Sequence, residues 1–525
     1  MIVPLFFSIL SGVLAGLSFP KYGFSLIAWI AYVPLLFSIQ QIKGENQVIK
    51  SYLYGFVSGF ITNVILLYWV VVAMNKYGNI SLAVSILGLV LLAAILSALY
   101  SGTFTMLIKI FRDGRMSGEI LFIPVVWVVL EYLRTFLFSG FPWELLGYSQ
   151  YKDLPLIQIS KFTAVYGVSF LIMLFNTLLY EAIVWWYDTK SIRTVKYPYL
   201  FAKTIVILLL ITGTLIYGDL TRENTRSVMD RTNDAITVGL IQGDIDQNHK
   251  WDPVYQDNTI ASYLSLSQEA YNQSHPRLLI WPETATPFFF QSDSNYASRI
   301  SDFVKSHDLY LLFGSPAFDY MQNGMHYYNS AFLMGPGGTI LGRYDKRHLV
   351  PFGEYLPLKN IFFFLKKLTD TIGAFTPGRQ GNLLKFGNVS MGTLICYEII
   401  FPQLSADDVR DGANLLVTIT DDAWFGNTSA PYQHLSMAVF RAVENERFVV
   451  RAANTGISAV IAPTGKILAS TKLFVPSFID YKVALINTKT FYSTHGDVFA
   501  FVCILLFLWF AVRYGYDRLT RKSLR

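Results

Sequence analysis

Seven long apolar runs fill the first 220 residues and constrain the fold of this chain more than any other feature. An eighth run lies near the C-terminus, and a helix needs about 20 apolar residues to cross a bilayer. The eight runs cover residues 3–19, 24–41, 52–74, 81–108, 119–138, 163–187, 199–218 and 498–512. Only 15% of residues are charged, against about a quarter in soluble proteins. The sequence therefore predicts a membrane protein with eight transmembrane helices.

The stretch between the seventh and eighth runs differs in character, because charged residues and short apolar runs replace the long ones. Short runs bounded by turn residues are typical of strands. We expect strands at residues 236–241, 278–281, 309–313, 330–334, 339–342, 390–395, 414–419, 458–461 and 482–486. Helical patterns lie between several of them, at residues 261–273, 297–305 and 433–444. The stretch is thus predicted to be a water-facing α/β domain with helices on the faces of its sheet.

These patterns divide the chain into four parts. They are transmembrane helices 1–7 (residues 1–220), the α/β domain (235–488), transmembrane helix 8 (495–516) and a basic tail (517–525). Lysine and arginine concentrate in alternate connections and in the tail, which marks these as cytoplasmic. The residues in the connections are Lys43, Lys50, Lys109, Arg112, Arg115, Lys190, Arg193 and Lys196. Both termini are therefore expected in the cytoplasm and the α/β domain on the other side. We attribute the net charge of +6 to topology rather than to nucleic-acid binding.

Cys396 is one of only two cysteines and stands where an apolar run gives way to Tyr397 and Glu398. A thiol at a strand end is exposed enough to act as a nucleophile, provided that a base or cation activates it. Free cysteine is also among the most buried residue types and commonly only packs. The polar pair after the run favours a cleft over a core, so Cys396 is a candidate nucleophile.

Three more polar residues complete a candidate site. Glu283 lies two residues after the run 278–281, and Lys346 lies four residues after the run 339–342. A carboxylate base and a cation that stabilises an oxyanion would suit a cysteine nucleophile, although either residue could instead be a solvated group at a strand end. Glu354 lies in an apolar loop with two prolines. It could orient the lysine, receive an incoming amine or simply form a salt bridge.

Three motifs in this order resemble the nitrilase superfamily. They are Trp-Pro-Glu at 281–283, Lys-Arg-His-Leu-Val-Pro-Phe-Gly-Glu at 346–354 and Cys-Tyr-Glu at 396–398. With the eight apolar runs, the last two look specifically like the apolipoprotein N-acyltransferase family. Further similar motifs are Gly-Phe-Pro-Trp at 140–143, Gly-Tyr-Ser-Gln at 147–150, Ile-Gln-Gly-Asp at 241–244 and Asp-Ala-Trp-Phe-Gly at 422–426. The resemblance thus covers nearly the whole chain.

The resemblance implies a nitrilase-like α-β-β-α sandwich attached to a multi-span helical membrane domain. It makes Glu283 the general base, Lys346 the oxyanion stabiliser and Cys396 the nucleophile. The supporting or substrate-binding residues that it implies are Glu354, Tyr397, Glu398 and Trp424. No metal and no cofactor are implied.

The implied reaction has two steps. Cys396 attacks the sn-1 ester of a phospholipid, expected to be phosphatidylethanolamine, and holds the acyl chain as a thioester. The α-amine of the N-terminal diacylglyceryl-cysteine of an apolipoprotein then takes the acyl chain as an amide. The expected partners are these two lipids and the bilayer, without nucleic acid. The expected location is the bacterial inner membrane with the catalytic domain in the periplasm, and the oligomeric state is left open.

Two other functions agree with parts of the sequence. A membrane-tethered amidase would use the same residues to hydrolyse a soluble amide. A transporter would need charged or broken helices in the membrane, for which Glu131 and Arg134 are the only hint, and we interpret both as interfacial. The segment 358–367 contains an apolar run between lysines. We expect it to be either a mobile arm that gates lipid entry or a helix buried within the domain.

Overall fold

The computed structural model describes residues 2–113, 119–188, 197–322, 324–356, 375–379 and 383–523. The predicted arm at 358–367 lies outside these described residues. The chain forms two compact units. The first consists of Met1–Val71, Ile80–Arg222 and Asp497–Arg525, and the second of Val72–Asn79 and Glu223–Gly496.

Helices make up the regular structure of the described part of the first unit, as its apolar runs predict. In chain order, the helices that begin before residue 200 are α1 (Ile2–Leu17), α2 (Val33–Gln41), α3 (Gln47–Leu67), α4 (Trp69–Val72), α5 (Leu82–Leu96), α6 (Thr103–Asp113), α7 (Glu119–Phe136), α8 (Leu154–Ile157), α9 (Ser160–Thr163), α10 (Val165–Asp188) and α11 (Tyr197–Arg231). The C-terminal helix is Val498–Ser523. A helix suits an apolar setting because it satisfies its own backbone hydrogen bonds.

Five described helical stretches are long and apolar enough to cross a membrane. They are Gln47–Leu67, Leu82–Phe111, Val165–Trp186, Leu200–Arg231 and Val498–Thr520. Two shorter apolar stretches are Ile2–Leu17 and Ser25–Gln41. The second of these is broken, because a 3-10 turn over Ser25–Trp29 precedes α2. The predicted count of eight spans therefore stays a prediction.

Two charged residues near the C-terminal end of α7 bind an irregular segment that follows the helix. Arg134 donates from Nε to the carbonyl of Phe141 and from Nη2 to the carbonyl of Trp143, both over 2.9 Å. Glu131, which is 6% exposed, accepts from the backbone N–H of Leu146 over 2.7 Å. Backbone groups outside a helix need such partners where water is excluded. The interfacial interpretation thus misses the buried position of Glu131 and the role of both charges.

The second unit contains two six-stranded sheets. Their strands are β1 (Ala235–Gln242), β2 (Leu278–Ile280), β3 (Tyr310–Met321), β4 (Gly324–Met334), β5 (Ile340–Asp345), β6 (Leu384–Phe386), β7 (Val389–Ile395), β8 (Leu415–Thr420), β9 (Val449–Ala453), β10 (Ala459–Ile461), β11 (Ile467–Ser470) and β12 (Ser477–Ala484). The strand orders are β12-β1-β2-β3-β4-β5 and β11-β10-β9-β8-β7-β6. Strands β1 to β3 run parallel, as do β7 to β9, and the other pairs are antiparallel.

Successive side chains of a strand point to opposite faces of its sheet, so the strands contribute to two separate cores. Leu278 and Ile280 lie in one core with Val417 of the other sheet, so this core fills the space between the two sheets. Leu279 and Trp281 lie in a second core on the outer face of the first sheet.

The helices of the second unit are α12 (Pro253–Ser274), α13 (Ser294–His307), α14 (Pro402–Arg410), α15 (Ala430–Asn445) and α16 (Phe491–His495). Residues of α12 and α13 belong to the second core, while α14 and α15 pack against the other sheet. The layering is α-β-β-α.

We predict that Arg134→Gln lowers the thermal unfolding midpoint of the purified protein in detergent. The variant leaves the carbonyls of Phe141 and Trp143 without their charged donor, and each buried group left unpaired costs about 1–3 kcal/mol. The control is Arg299→Gln, because Arg299 forms a largely exposed ion pair with Asp257, and such pairs contribute about 0–1 kcal/mol. Equal midpoints for the two variants would contradict the anchoring role of Arg134.

Candidate active site

Three polar residues stand at the carboxyl ends of parallel strands in the two sheets. Glu283 follows β2, Cys396 follows β7 and Asp421 follows β8. The backbone N–H of Asp421 donates to Glu283 Oε2 over 2.9 Å. The first sheet contributes Glu283 and the second contributes Asp421, so this hydrogen bond shows that the strand ends of both sheets meet here. Carboxyl ends of parallel strands are the usual place for a binding site in α/β folds.

The ammonium of Lys346 lies between two carboxylates. Its Nζ is 2.9 Å from Glu354 Oε1 and 3.3 Å from Glu283 Oε1, and its side chain is 1% exposed. Burial alone would lower the pKa of Lys346, but the two carboxylates outweigh burial and hold that pKa well above its usual range. The lysine is therefore a permanent cation. The structure brings together Glu283, Lys346 and Glu354, which sequence analysis assigned to one candidate site.

Asn329 on β4 joins the same two carboxylates from another side. Its Nδ2 donates to Glu283 Oε1 and to Glu354 Oε1, both over 2.8 Å. Its backbone carbonyl accepts from the N–H of Lys346 over 2.9 Å. Sequence analysis missed this residue, because a lone asparagine inside a strand has no local pattern that indicates a site.

Sequence analysis also missed a buried lysine, Lys250, which binds the backbone carbonyl of Glu283. Its Nζ donates to the carbonyl of Glu283 over 3.2 Å, to Thr284 Oγ1 over 2.6 Å and to Asp421 Oδ2 over 2.5 Å. Lys250 is 1% exposed. Asp421, to which the motif comparison gave no role, thus contacts Glu283 directly and through Lys250. The pairing joins positions 171 residues apart, a separation that local sequence patterns do not reveal.

Cys396 sits on a sharp turn and remains partly exposed. Its φ is +52°, the left-handed region that residues with a side chain rarely adopt. Burial of the sulfur and the negative charge of Glu283 raise the pKa of the Cys396 thiol well above its ordinary value, while Lys346 opposes them. The resting side chain is therefore a neutral thiol, and a base must remove its proton before it can act as a nucleophile.

Glu398 is fully buried and holds the cysteine strand to the lysine turn. It accepts from the backbone N–H groups of Ile395, Arg347 and His348 over 2.7, 2.7 and 3.0 Å. The hydroxyl of Tyr344 donates to both of its oxygens. Burial raises the pKa of Glu398, and the Arg347 guanidinium opposes this increase. Glu398 thus supports the site by setting the distance between two chain segments.

Tyr397 and Trp424 differ in exposure. The Tyr397 ring is 7% exposed and packs edge-on against Phe401, at 5.2 Å between centroids. Trp424 is 40% exposed, and its ring lies 6.4 Å from that of Tyr77, which belongs to the same compact unit. A large exposed aromatic beside Asp422 is suited to contact with an apolar ligand.

The fold and the residues at its strand ends define a class of protein. The model of the carbon-nitrogen hydrolase family matches residues 237–485. The model of the apolipoprotein N-acyltransferase N-terminal domain matches residues 11–178. The second unit is therefore a nitrilase-like carbon-nitrogen hydrolase fold, and a helical N-terminal region precedes it.

Relatives match almost the full chain. An apolipoprotein N-acyltransferase from Geobacter metallireducens is 44% identical over 95% of this chain and 92% of its own length. Relatives of the same name from Methylococcus capsulatus and Haemophilus influenzae are 33% and 32% identical, over 93% and 95% of this chain and 91% and 93% of their own. A solved amidase from Nesterenkonia sp. is 20% identical over 51% of this chain and 96% of its own, with a TM-score of 0.38. The chain belongs to the apolipoprotein N-acyltransferase family.

We predict that Lys250→Met lowers the thermal unfolding midpoint more than the exposed control Lys466→Met does. Removal of one partner from a buried ion pair costs about 3–5 kcal/mol, because the other charge stays buried without compensation. A second change, Asp421→Asn, should recover part of this loss in the Lys250→Met background. Thermal unfolding of all three variants in detergent tests this, and a double variant no more stable than Lys250→Met would contradict the pairing.

Proposed function

We propose that this chain transfers a fatty acyl group from a phospholipid to an apolipoprotein through a thioester on Cys396. The acceptor is the α-amine of the N-terminal diacylglyceryl-cysteine, and the preferred donor is the sn-1 chain of phosphatidylethanolamine. The observation that carries the proposal is the ammonium of Lys346, held between Glu283 and Glu354 near a partly exposed cysteine. Membership of the family over nearly the full chain supports the same reaction.

In the first half-reaction, Glu283 takes the proton from the Cys396 sulfur. The resulting thiolate attacks the ester carbonyl, and the oxygen of the tetrahedral intermediate becomes negative. Lys346 stabilises that oxyanion, because its charge is permanent and already oriented. The C–O bond of the ester then breaks, the leaving alkoxide takes the proton from Glu283, and a lysophospholipid departs.

In the second half-reaction, the amine of the acceptor attacks the thioester carbonyl. Glu283 takes a proton from the attacking nitrogen, Lys346 again stabilises the oxyanion, and the C–S bond breaks to give an amide. The leaving thiolate recovers its proton from Glu283, which restores the resting enzyme. Two easier steps thus replace one difficult direct transfer.

The remaining residues have supporting roles in this proposal. Glu354 orients Lys346, and Glu398 fixes the segment that carries Cys396. Tyr397 follows Cys396 directly, and Trp424 lies three residues after Asp421, which binds Glu283. Both contact the acyl chain in this proposal.

The bilayer supplies both substrates. We assign the chain to the bacterial inner membrane with eight transmembrane helices, both termini in the cytoplasm and the catalytic domain in the periplasm. The five long apolar helices support a membrane location, and the distribution of lysine and arginine between alternate connections supports this orientation. Substrates confined to one membrane reach a site beside it without leaving the lipid.

We predict that incubation with phospholipid adds one fatty-acyl mass to the intact protein. Hydroxylamine should remove the added mass, since it cleaves thioesters. Mass spectrometry of the intact protein and of its peptides measures both changes. Cys396→Ala should abolish the gain, and Cys503→Ala, which removes the only other cysteine, should retain it.

Two results would contradict the proposed function. One is acylation that persists in Cys396→Ala. The other is hydrolysis of soluble amides by a protein that never acquires an acyl group from lipid, which would favour an amidase instead.

We predict that Glu283→Gln and Lys346→Gln shift the pKa of the Cys396 thiol in opposite directions. The Glu283 charge raises the thiol pKa and Lys346 lowers it. Glu283→Gln should therefore lower the pKa and speed alkylation by iodoacetamide, although turnover falls because the base is lost. Lys346→Gln should raise the pKa and slow alkylation.

The measurement is the rate of Cys396 alkylation as the pH rises from about 7 through the ordinary thiol pKa of about 8.5 and beyond it, because the pKa of this thiol lies above that value. The control is Glu269→Gln, an exposed carboxylate on α12, whose profile should match that of the unaltered protein. Shifts in the same direction for both site variants would disprove this electrostatic arrangement.

A further inference from the structure

A buried cluster of three polar side chains lies behind Cys396 and has no part in the two half-reactions. Asp422 follows β8, His434 lies on α15 and Arg451 lies on β9, and none is more than 1% exposed. Arg451 Nη2 donates to Asp422 Oδ2 over 2.6 Å. His434 Nδ1 lies 3.0 Å from Asp422 Oδ1 and 3.1 Å from Arg451 Nη2. Three elements therefore converge on one imidazole ring.

The other ring nitrogen faces the nucleophile. His434 Nε2 is 3.1 Å from the backbone carbonyl oxygen of Cys396. That residue has a φ of +52°, a left-handed conformation that costs about 1–2 kcal/mol when a side chain is present. Glycine would remove the strain but cannot carry a thiol. The surrounding structure must therefore hold this conformation, and His434 is bonded to it directly.

The contacts at the two ring nitrogens differ. The contact at Nε2 is a hydrogen bond only when Nε2 carries the hydrogen, because the carbonyl oxygen only accepts. At Nδ1 the ring meets both the Arg451 donor and the Asp422 carboxylate. Burial and then Arg451 lower the pKa of His434, although Asp422 opposes them. A neutral ring with its hydrogen on Nε2 leaves Nδ1 to accept from Arg451, which also binds the carboxylate of Asp422. Asp422 in turn accepts from Arg451 and from the hydroxyl of Thr420, the latter over 3.0 Å.

We propose that His434 is a positioning residue whose Nε2–H holds the Cys396 carbonyl and thereby aims the thiol, while Arg451, itself held by Asp422, donates to Nδ1 and keeps the ring hydrogen on Nε2. This inference rests on the proposed role of Cys396 as nucleophile. Rotation of the backbone at Cys396 would carry its sulfur away from Glu283 and Lys346. A displacement of about 1 Å from a productive geometry costs roughly 100-fold in rate.

The test compares His434→Ala with His434→Gln. A glutamine amide can donate to the carbonyl of Cys396 and accept from Arg451, whereas alanine can do neither. We expect His434→Ala to slow acylation of Cys396 by about 10- to 100-fold in a single turnover, and His434→Gln to recover at least about tenfold of that loss. Both rates are corrected for the folded fraction from thermal unfolding. His434→Leu keeps the volume without the donor, and we expect it to stay slow, as His434→Ala does.

A second readout keeps this inference separate from the proposed function. The rate at which iodoacetamide alkylates Cys396 needs only the thiol, so the ratio between the glutamine and leucine variants tests positioning even if no lipid ever acylates the protein. The absence of acylation in the unaltered protein would refute the proposed function alone. His307→Ala is the matched control, because His307 also bonds a backbone carbonyl, that of Phe303, over 2.8 Å, and it should leave both rates unchanged.

Equal rates for the glutamine and leucine variants, after correction for the folded fraction, would overturn the inference. Such a result would mean that His434 only fills space or stabilises the fold. Recovery by glutamine but not by leucine in both readouts would support it, since leucine fills the space without the hydrogen bond.

Discussion

The buried carboxylate of Glu398 is the interaction on which the arrangement of the site depends. A carboxylate without water is costly unless donors surround it. Its donors come from Ile395 before the cysteine and from Arg347 and His348 after the lysine. The charge is therefore satisfied only when these two segments lie side by side. Folding of the sandwich and assembly of the site are in this sense one event.

The same principle organises the rest of the site. Glu283 accepts from Asp421 in the other sheet, and Lys346 and Asn329 bind both Glu283 and Glu354. Each buried carboxylate finds partners on a separate strand or turn. Close charge pairs at low dielectric give the site its geometry, whereas the apolar core between the sheets determines only which strands are neighbours.

Sequence patterns predicted much of the sandwich because alternation of apolar residues is local. All nine predicted strands overlap observed strands, and the expected layering of helices on sheets is present. Strands β6 and β11 were missed because neither is a continuous buried apolar run: Lys385 interrupts β6, and β11 is only partly buried. Strand β9 was missed because Arg451 interrupts its apolar run, and the partners that permit its burial, Asp422 and His434, lie elsewhere in the sequence.

Local sequence patterns also fail to reveal contacts between distant residues in the membrane half and around the supporting residues of the site. Composition predicts apolar helices, but it does not show that Asn176 binds the backbone of Tyr32 and Ala28 where the second predicted span is broken. The three motif residues were proposed as a site because each lies within a few residues of the end of a predicted strand. Lys250, Asn329 and His434 were not, since their roles exist only through contacts with distant positions.

The neutral state of the Cys396 thiol also determines how the protein survives between turnovers. Peroxides and disulfides attack thiolates far more readily than thiols. A thiol that burial and a nearby carboxylate keep protonated is therefore resistant to oxidation while no ester occupies the site. The raised pKa that makes Cys396 depend on a base thus also gives the protein chemical durability, because the resting thiol reacts slowly with oxidants.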